Sequence, residues 1–148
     1  MLGNMKILVA SSGSTQECDE PVMAAESFPW PAGSEIHILS VSEPLYPVPI
    51  GMIPDVMDPG EVQVPTQEEA ASTALLAANR LRSRGIDAKG ISLQGSPDTE
   101  ITEYAKKWGA DLIVVGRHER HGIDKLLSSS VSDSVVKHAP CSVLVVKS

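Results

Sequence analysis

No apolar run in this chain approaches the roughly 20 residues that a membrane-crossing helix needs. The longest, such as Leu112-Ile113-Val114-Val115, are short. A spanning helix is excluded on that ground, and no membrane partner is expected. The opening Met1-Leu2-Gly3-Asn4-Met5 is not a basic region followed by a long apolar one, so no secretory signal is read there. Cysteine is scarce. Cys18 and Cys141 are too few for a disulfide scaffold and fit a reduced, cytoplasmic setting. Each reads as a small core residue rather than a reactive thiol. Positive charge is in deficit, with 12 Lys and Arg against 19 Asp and Glu and a net charge of −7. Nucleic-acid partners are not expected, because phosphate backbones are held by Lys/Arg patches. There is no internal repeat and no G-x-S-x-G elbow for a nucleophilic serine. His118 and His121 flank Glu119, but no third and fourth ligands stand at a recognisable spacing, so no metal is assigned. A hydrolase would need a positioned base or metal, and only Glu119 and Asp124 offer themselves for that role.

What the chain does have is an alternation of short apolar runs and helical patterns. Its 148 residues, 42% hydrophobic, suffice for one domain over residues 1–148. Met5 to Ala10 reads as a first, central strand. Ser11-Ser12-Gly13-Ser14-Thr15 is turn and helix-start material, and a helix is expected over 15–27, with Cys18, Val22 and Ala25 on one face. Glu35 to Val41 is the second strand. The capping-box sequence Thr66-Gln67-Glu68-Glu69 opens a second helix to about Arg84, with Ala70, Ala74, Leu75, Ala78 and Leu81 as its buried stripe and Gly85 as its stop. Ala88 to Leu93 is a third strand of edge character. Ser96-Pro97-Asp98 supplies a capping hydroxyl, a proline at the first helical position and an acid near the positive dipole end. That helix buries Ile101, Ala105 and Trp108 and stops at Gly109.

The last third begins with Leu112 to Val115, closed by Gly116. A basic loop, Arg117-His118-Glu119-Arg120-His121-Gly122, leads to Ser128-Ser129-Ser130, whose hydroxyls suit a helix start. A helical pattern over 131–138 and a final apolar strand, Val143-Leu144-Val145-Val146, complete the chain. The alternation predicts an α/β fold: a single doubly wound, five-stranded parallel sheet with helices on both faces. Residues 44–65 interrupt it with six prolines, Pro44, Pro47, Pro49, Pro54, Pro59 and Pro65, which forbid regular structure over most of the segment. A connection of this length is either a surface excursion or a functional loop, a lid or a docking segment. His37 and His138 read as structural.

Several of these stretches, taken together, resemble the universal stress protein family. They are Met5-Lys6-Ile7-Leu8-Val9-Ala10 with Gly13-Ser14, Asp111 through Gly116, Gly122, Leu126 through Ser132, and His138-Ala139-Pro140-Cys141-Ser142 running into Val143 to Val146. The resemblance spans essentially the whole chain. It implies the strand order 3-2-1-4-5, a role in stress response, and a ligand crevice at the switch point between strands one and four.

In members that bind ATP with Mg²⁺, the resemblance implies a crevice lined here by Ala10, Ser11, Ser12, Val41, Val115, Gly116, His118, Glu119, Ser129, Ser130, Val131 and Ser132. The ATP-binding pattern has glycine, two residues, glycine, nine residues, then Gly-Ser or Gly-Thr. Gly116 and Ser130 match it. Glu119 and Ser129 stand where glycine is expected, and Ser12 stands where an acidic residue contacts the adenosine end. Glycine lets backbone approach a phosphate closely. A carboxylate about 4 Å from a phosphate charge costs about 4 kcal/mol at an effective dielectric near 20. Arg117, His118, Arg120 and His121 offset part of this, and the N–H groups of Ser130, Val131 and Ser132 suit an anion. Two readings follow: a non-catalytic module with a degenerate adenine-nucleotide site, or an ATP-binding regulatory one. The resemblance also implies a homodimer through Val143, Leu144, Val145 and Val146, an uncharged edge strand that requires cover.

Overall fold

The structure is a computed structural model that describes residues 4–11, 20–42, 67–117 and 129–147. Strand β1 (Lys6–Ala10) buries every residue after its first, as does β2 (Glu35–Ser42). Burial without alternation marks strands covered on both faces. With β3 (Asp87–Gln94), β4 (Leu112–Arg117) and β5 (Ser142–Lys147) they form one sheet, ordered β3-β2-β1-β4-β5 and parallel throughout. This is the fold class and order expected from the sequence. β3 and β5 are the edges, and both are only partly buried.

Successive side chains of a strand leave on opposite faces, and the two faces receive different helices. Ile7, Val9, Ile36, Ile38 and Val114 pack with Val22 and Ala25 of α1 (Glu20–Ser27) and with Ala78 and Leu81 of α2 (Gln67–Arg82). Leu8, Leu39, Ile113 and Val115 pack with Ile101 and Ala105 of α3 (Pro97–Trp108) and with Val135 of α4 (Ser129–His138). The expected face of the third helix is therefore found, as are Val22 and Ala25 of the first, whose Cys18 lies outside the described residues. Gly85, at φ +81°, follows α2, and the Ile86 N–H closes back on Leu81 O. Gly109, at φ 79°, ends α3 with its N–H on Ala105 O. Both are left-handed caps that only glycine adopts without cost.

Four expectations need correction. Leu75 does not belong to the buried stripe of α2: it is 53% exposed, and Thr73 is buried instead. The small side chains of Ala70, Ala74 and Ala78 let the helix axis sink toward the sheet, which leaves the larger neighbour outside. Ser96 does not cap α3 with its hydroxyl; its Oγ donates to Asp98 Oδ1 at 2.7 Å. A carboxylate two residues away is a stronger acceptor than any role the backbone offers the hydroxyl. Ser134 Oγ of α4 donates to the other oxygen at 2.8 Å, so Asp98 ties the two helices. These two donors hold the Asp98 carboxyl below its ordinary pKa. The fourth strand does not close at Gly116. It runs to Arg117, because β5 continues the ladder opposite it as Gly116↔Val146 and Arg117↔Lys147. The last helix starts at Ser129 rather than Val131, which places Ser129 and Ser130 in its first turn. The first helix's expected start at Thr15, the Thr66 cap and the 44–65 connection lie outside the described residues.

Candidate functional site at the strand switch point

β1 pairs with β2 on one side and β4 on the other, in register as Ile7↔Ile36 and Ile7↔Leu112. The crossover from β1 goes to one side of the sheet and the chain later returns to the other, so the carboxyl ends of β1 and β4 lie side by side. That is where an open α/β sheet leaves a crevice. Ala10, which ends β1, and Val115, two residues before the end of β4, lie on the same face, and Val41 of β2 joins them. All three are buried, and the half-buried Val131 of α4 packs against the same cluster. Four of the twelve candidate residues thus belong to one apolar cluster on the α3–α4 face of the sheet. Ser11 follows Ala10, buried, with its N–H on Leu39 O at 2.9 Å. Gly116 continues β4 in the ladder with β5.

α4 supplies the electrostatics. It starts on the carboxyl-end side of the sheet and runs back to the start of β5, so its N-terminus stands on the crevice side. Its first turn carries no acidic residue, which leaves the positive end of the dipole uncompensated by the helix's own side chains. Ser130 is exposed in that turn and Ser132 is buried. Ala10, Ser11, Val41, Val115, Gly116, Ser130, Val131 and Ser132 include no carboxylate, imidazole or amine. They offer apolar side chains, hydroxyls and main-chain N–H groups. Ser12, His118 and Glu119 lie outside the described residues, as do Cys18, His121 and Asp124; of Ser129 the backbone alone is described.

Two features escaped the sequence reading. Ser40 and Ser92 are register partners across β2 and β3, and neither buried hydroxyl has a hydrogen-bond partner among the described residues. The signal was a serine inside the apolar run of β2. His37 is structural as expected, but its surroundings were not foreseen: it stacks on Trp108 with ring centroids 3.7 Å apart and shares a 2.7 Å hydrogen bond with Tyr104. His138, exposed at the end of α4, has Nδ1 2.9 Å from Ser134 O. Cys141 is half-buried against the α3–α4 side of the core, and burial raises its thiol pKa. Among the described residues no group of His, Cys, Asp and Glu is placed to hold a metal, and no helix is long and apolar enough to cross a membrane.

A parallel sheet of order 3-2-1-4-5 with helices on both faces defines the class as a flavodoxin-like doubly wound architecture. The comparisons narrow it. The model of the universal stress protein family matches residues 3–147, and the chain belongs to that family. Universal stress protein MJ0531 of Methanocaldococcus jannaschii is 49% identical over 63 residues, 43% of this chain and 37% of that protein. Universal stress protein Sll1388 of Synechocystis is 33% identical over 81 residues, 55% of this chain and 53% of its own. The chain spans about half, or less, of the length of these curated relatives. The solved structure of protein MJ0577 superposes with a TM-score of 0.69 at 25% identity, covering 97% of this chain and 96% of that one.

Proposed function

We propose that this universal stress protein is a non-catalytic, dimeric module whose switch-point crevice takes an adenine mononucleotide in preference to ATP. The observation that carries this reading is the meeting of the β1 and β4 carboxyl ends, where Ala10, Val41, Val115 and Val131 share one apolar cluster, beside the N-terminus of α4. Apolar strand ends suit a base, and a helix N-terminus suits one phosphate. Solved universal stress proteins of this fold are described in complex with cAMP, dAMP and AMP, each a mononucleotide. The departures from the ATP pattern point the same way. Glu119 and Ser129 stand where a longer phosphate chain would need glycine, and a penalty of about 4 kcal/mol is close to three decades of affinity. The described crevice residues supply no general base, so the reading includes no reaction.

The test is a thermal shift with AMP and with ATP–Mg²⁺. At about a hundred times its Kd, a ligand adds about 2.7 kcal/mol of stability. AMP is expected to raise the Tm at millimolar concentration, and ATP–Mg²⁺ to raise it less. The triple change Ser12→Asp, Glu119→Gly and Ser129→Gly is expected to bring ATP up to the AMP response. An equal response of the native protein to ATP and AMP, or none to either, would sink the reading.

Dimerisation rests on β5. Val143 and Val145 contribute to one apolar cluster and Leu144 and Val146 to the other, and all four remain half-buried at an open edge. An uncharged edge of this kind needs cover, and a second copy supplies it by an isologous contact. α4 carries Val136, 53% exposed, and packs on β5, extending the apolar surface. Light scattering is expected to give a dimer at micromolar concentration and a monomer for Val145→Lys. A native monomer would overturn this part alone.

A further inference from the structure

His37 is 8% exposed and sits between the sheet and α3. Trp108 stacks on one side of its ring, with planes 12° apart, and the Tyr104 hydroxyl lies 2.7 Å from Nδ1. On its own strand, Glu35 Oε2 is 4.0 Å from Nε2. The carboxylate charge near Nε2 favours the tautomer with the proton on that nitrogen, so Nδ1 accepts from Tyr104. On β3, Lys89 is its register partner and Asp87 lies two residues earlier. On β1, Lys6 holds its ammonium 5.8 Å from the Trp108 ring and donates to Trp108 O. The groups facing His37 are therefore Glu35, Asp87, Lys6, Lys89, Tyr104 and Trp108.

We propose that His37 is an acid-responsive latch: neutral, it seats the C-terminal half of α3 on the sheet through Tyr104 and Trp108, and protonated, it releases that half. The physical reasons are three. A charged imidazole loses hydration in this site and regains only the attraction of the exposed Glu35 and Asp87. Its Nδ1 becomes a donor, so the Tyr104 hydroxyl must turn its own proton away. And the imidazolium is repelled by two ammonium groups, Lys89 beside it in register and Lys6 on β1.

Burial and Lys89 hold the folded His37 pKa below its ordinary 6.5, against the opposing pull of Glu35 and Asp87. The unfolded or released state therefore binds the proton more readily than the seated one. The seat is at full strength above pH 6.5 and weakens as the pH falls below it, until the seated imidazole itself titrates.

The test is acrylamide quenching of Trp108 fluorescence in a Trp30→Phe background, followed from about pH 8 to about pH 5, with hydrogen exchange of residues 97–108 in the unsubstituted protein as a second readout. Quenching is expected to rise about threefold through a single midpoint below neutrality. His37→Phe keeps a ring on Trp108 and is expected to flatten the curve. Glu35→Gln should lower the midpoint and Lys89→Met should raise it, each by roughly half a pH unit. These two changes lie on exposed residues and keep the test valid even where His37→Phe folds poorly. Accessibility that does not change with pH overturns the proposal. So does a midpoint that neither Glu35→Gln nor Lys89→Met moves, or one that persists in His37→Phe.

Discussion

Gly90→Ala is expected to lower stability by about 3 kcal/mol, the upper part of the range for overpacking, and to lower the Tm by roughly 6–12 °C. Gly90→Val should go further and leave little folded protein. Gly90 lies mid-strand in β3, opposite Ile38 of β2. A Cβ placed there would stand 2.5 Å from Ala74 O, 2.6 Å from Ala74 C and 2.9 Å from Leu75 N. All three are backbone atoms of α2, so no side chain can swing aside; the helix itself must lift. Lifting it separates Ala78 and Leu81 from the core they share with Ile36 and Ala88. Gly85→Ala is the control. It has the unfavourable φ of +81° but nothing within 4 Å, so it should cost only the about 1–2 kcal/mol of a left-handed residue. Urea unfolding of the two variants decides the matter. A Gly90→Ala protein as stable as Gly85→Ala would mean that α2 does not ride on β3 as closely as described.

The close approach at Gly90 also shows where sequence reading stops. Strands β1, β2 and β4 were legible because a strand covered on both faces has to be apolar throughout, and little else in a short chain is. The caps at Gly85 and Gly109 were legible because left-handed backbone selects glycine. A glycine inside β3 gives no such sign. It is permitted by its own strand and required only by a helix sixteen residues earlier. The misplacement of Leu75 has the same origin. Helical spacing counts Leu75 as apolar and near the stripe, but the depth to which α2 sinks is set by alanines against Gly90, and at that depth Leu75 and Leu76 face outward, 53% and 62% exposed. The switch point itself could be read from the strand order. Ser40 and Ser92 could not, because their juxtaposition is a matter of register between β2 and β3. Nor could the His37–Tyr104–Trp108 array, in which two aromatic residues four apart on α3 meet a histidine from β2 far back in the chain.

Arg80→Ala with Arg84→Ala is expected to cost about 3 kcal/mol, while Glu26→Gln should cost only about 1 kcal/mol. The asymmetry follows from where the charges sit. Glu26 on α1 keeps its side chain 5% exposed, whereas Arg80 on α2 and Arg84 in the turn that follows it are 48% and 61% exposed. Arg80 Nε meets Glu26 Oε2 at 2.7 Å, and Arg84 Nε meets the other carboxylate oxygen. Without the carboxylate, both guanidinium groups turn into water at little cost. Without the guanidinium groups, a carboxylate stays behind at the α1–α2 seam with its hydration already lost. Adding Glu26→Gln to the double arginine variant should therefore restore stability rather than subtract from it, a non-additivity of about 2 kcal/mol in a mutant cycle read by urea unfolding. A cycle that simply adds would mean that the three side chains act as separate surface charges, and that α1 is held on the sheet by Val22 and Ala25 alone.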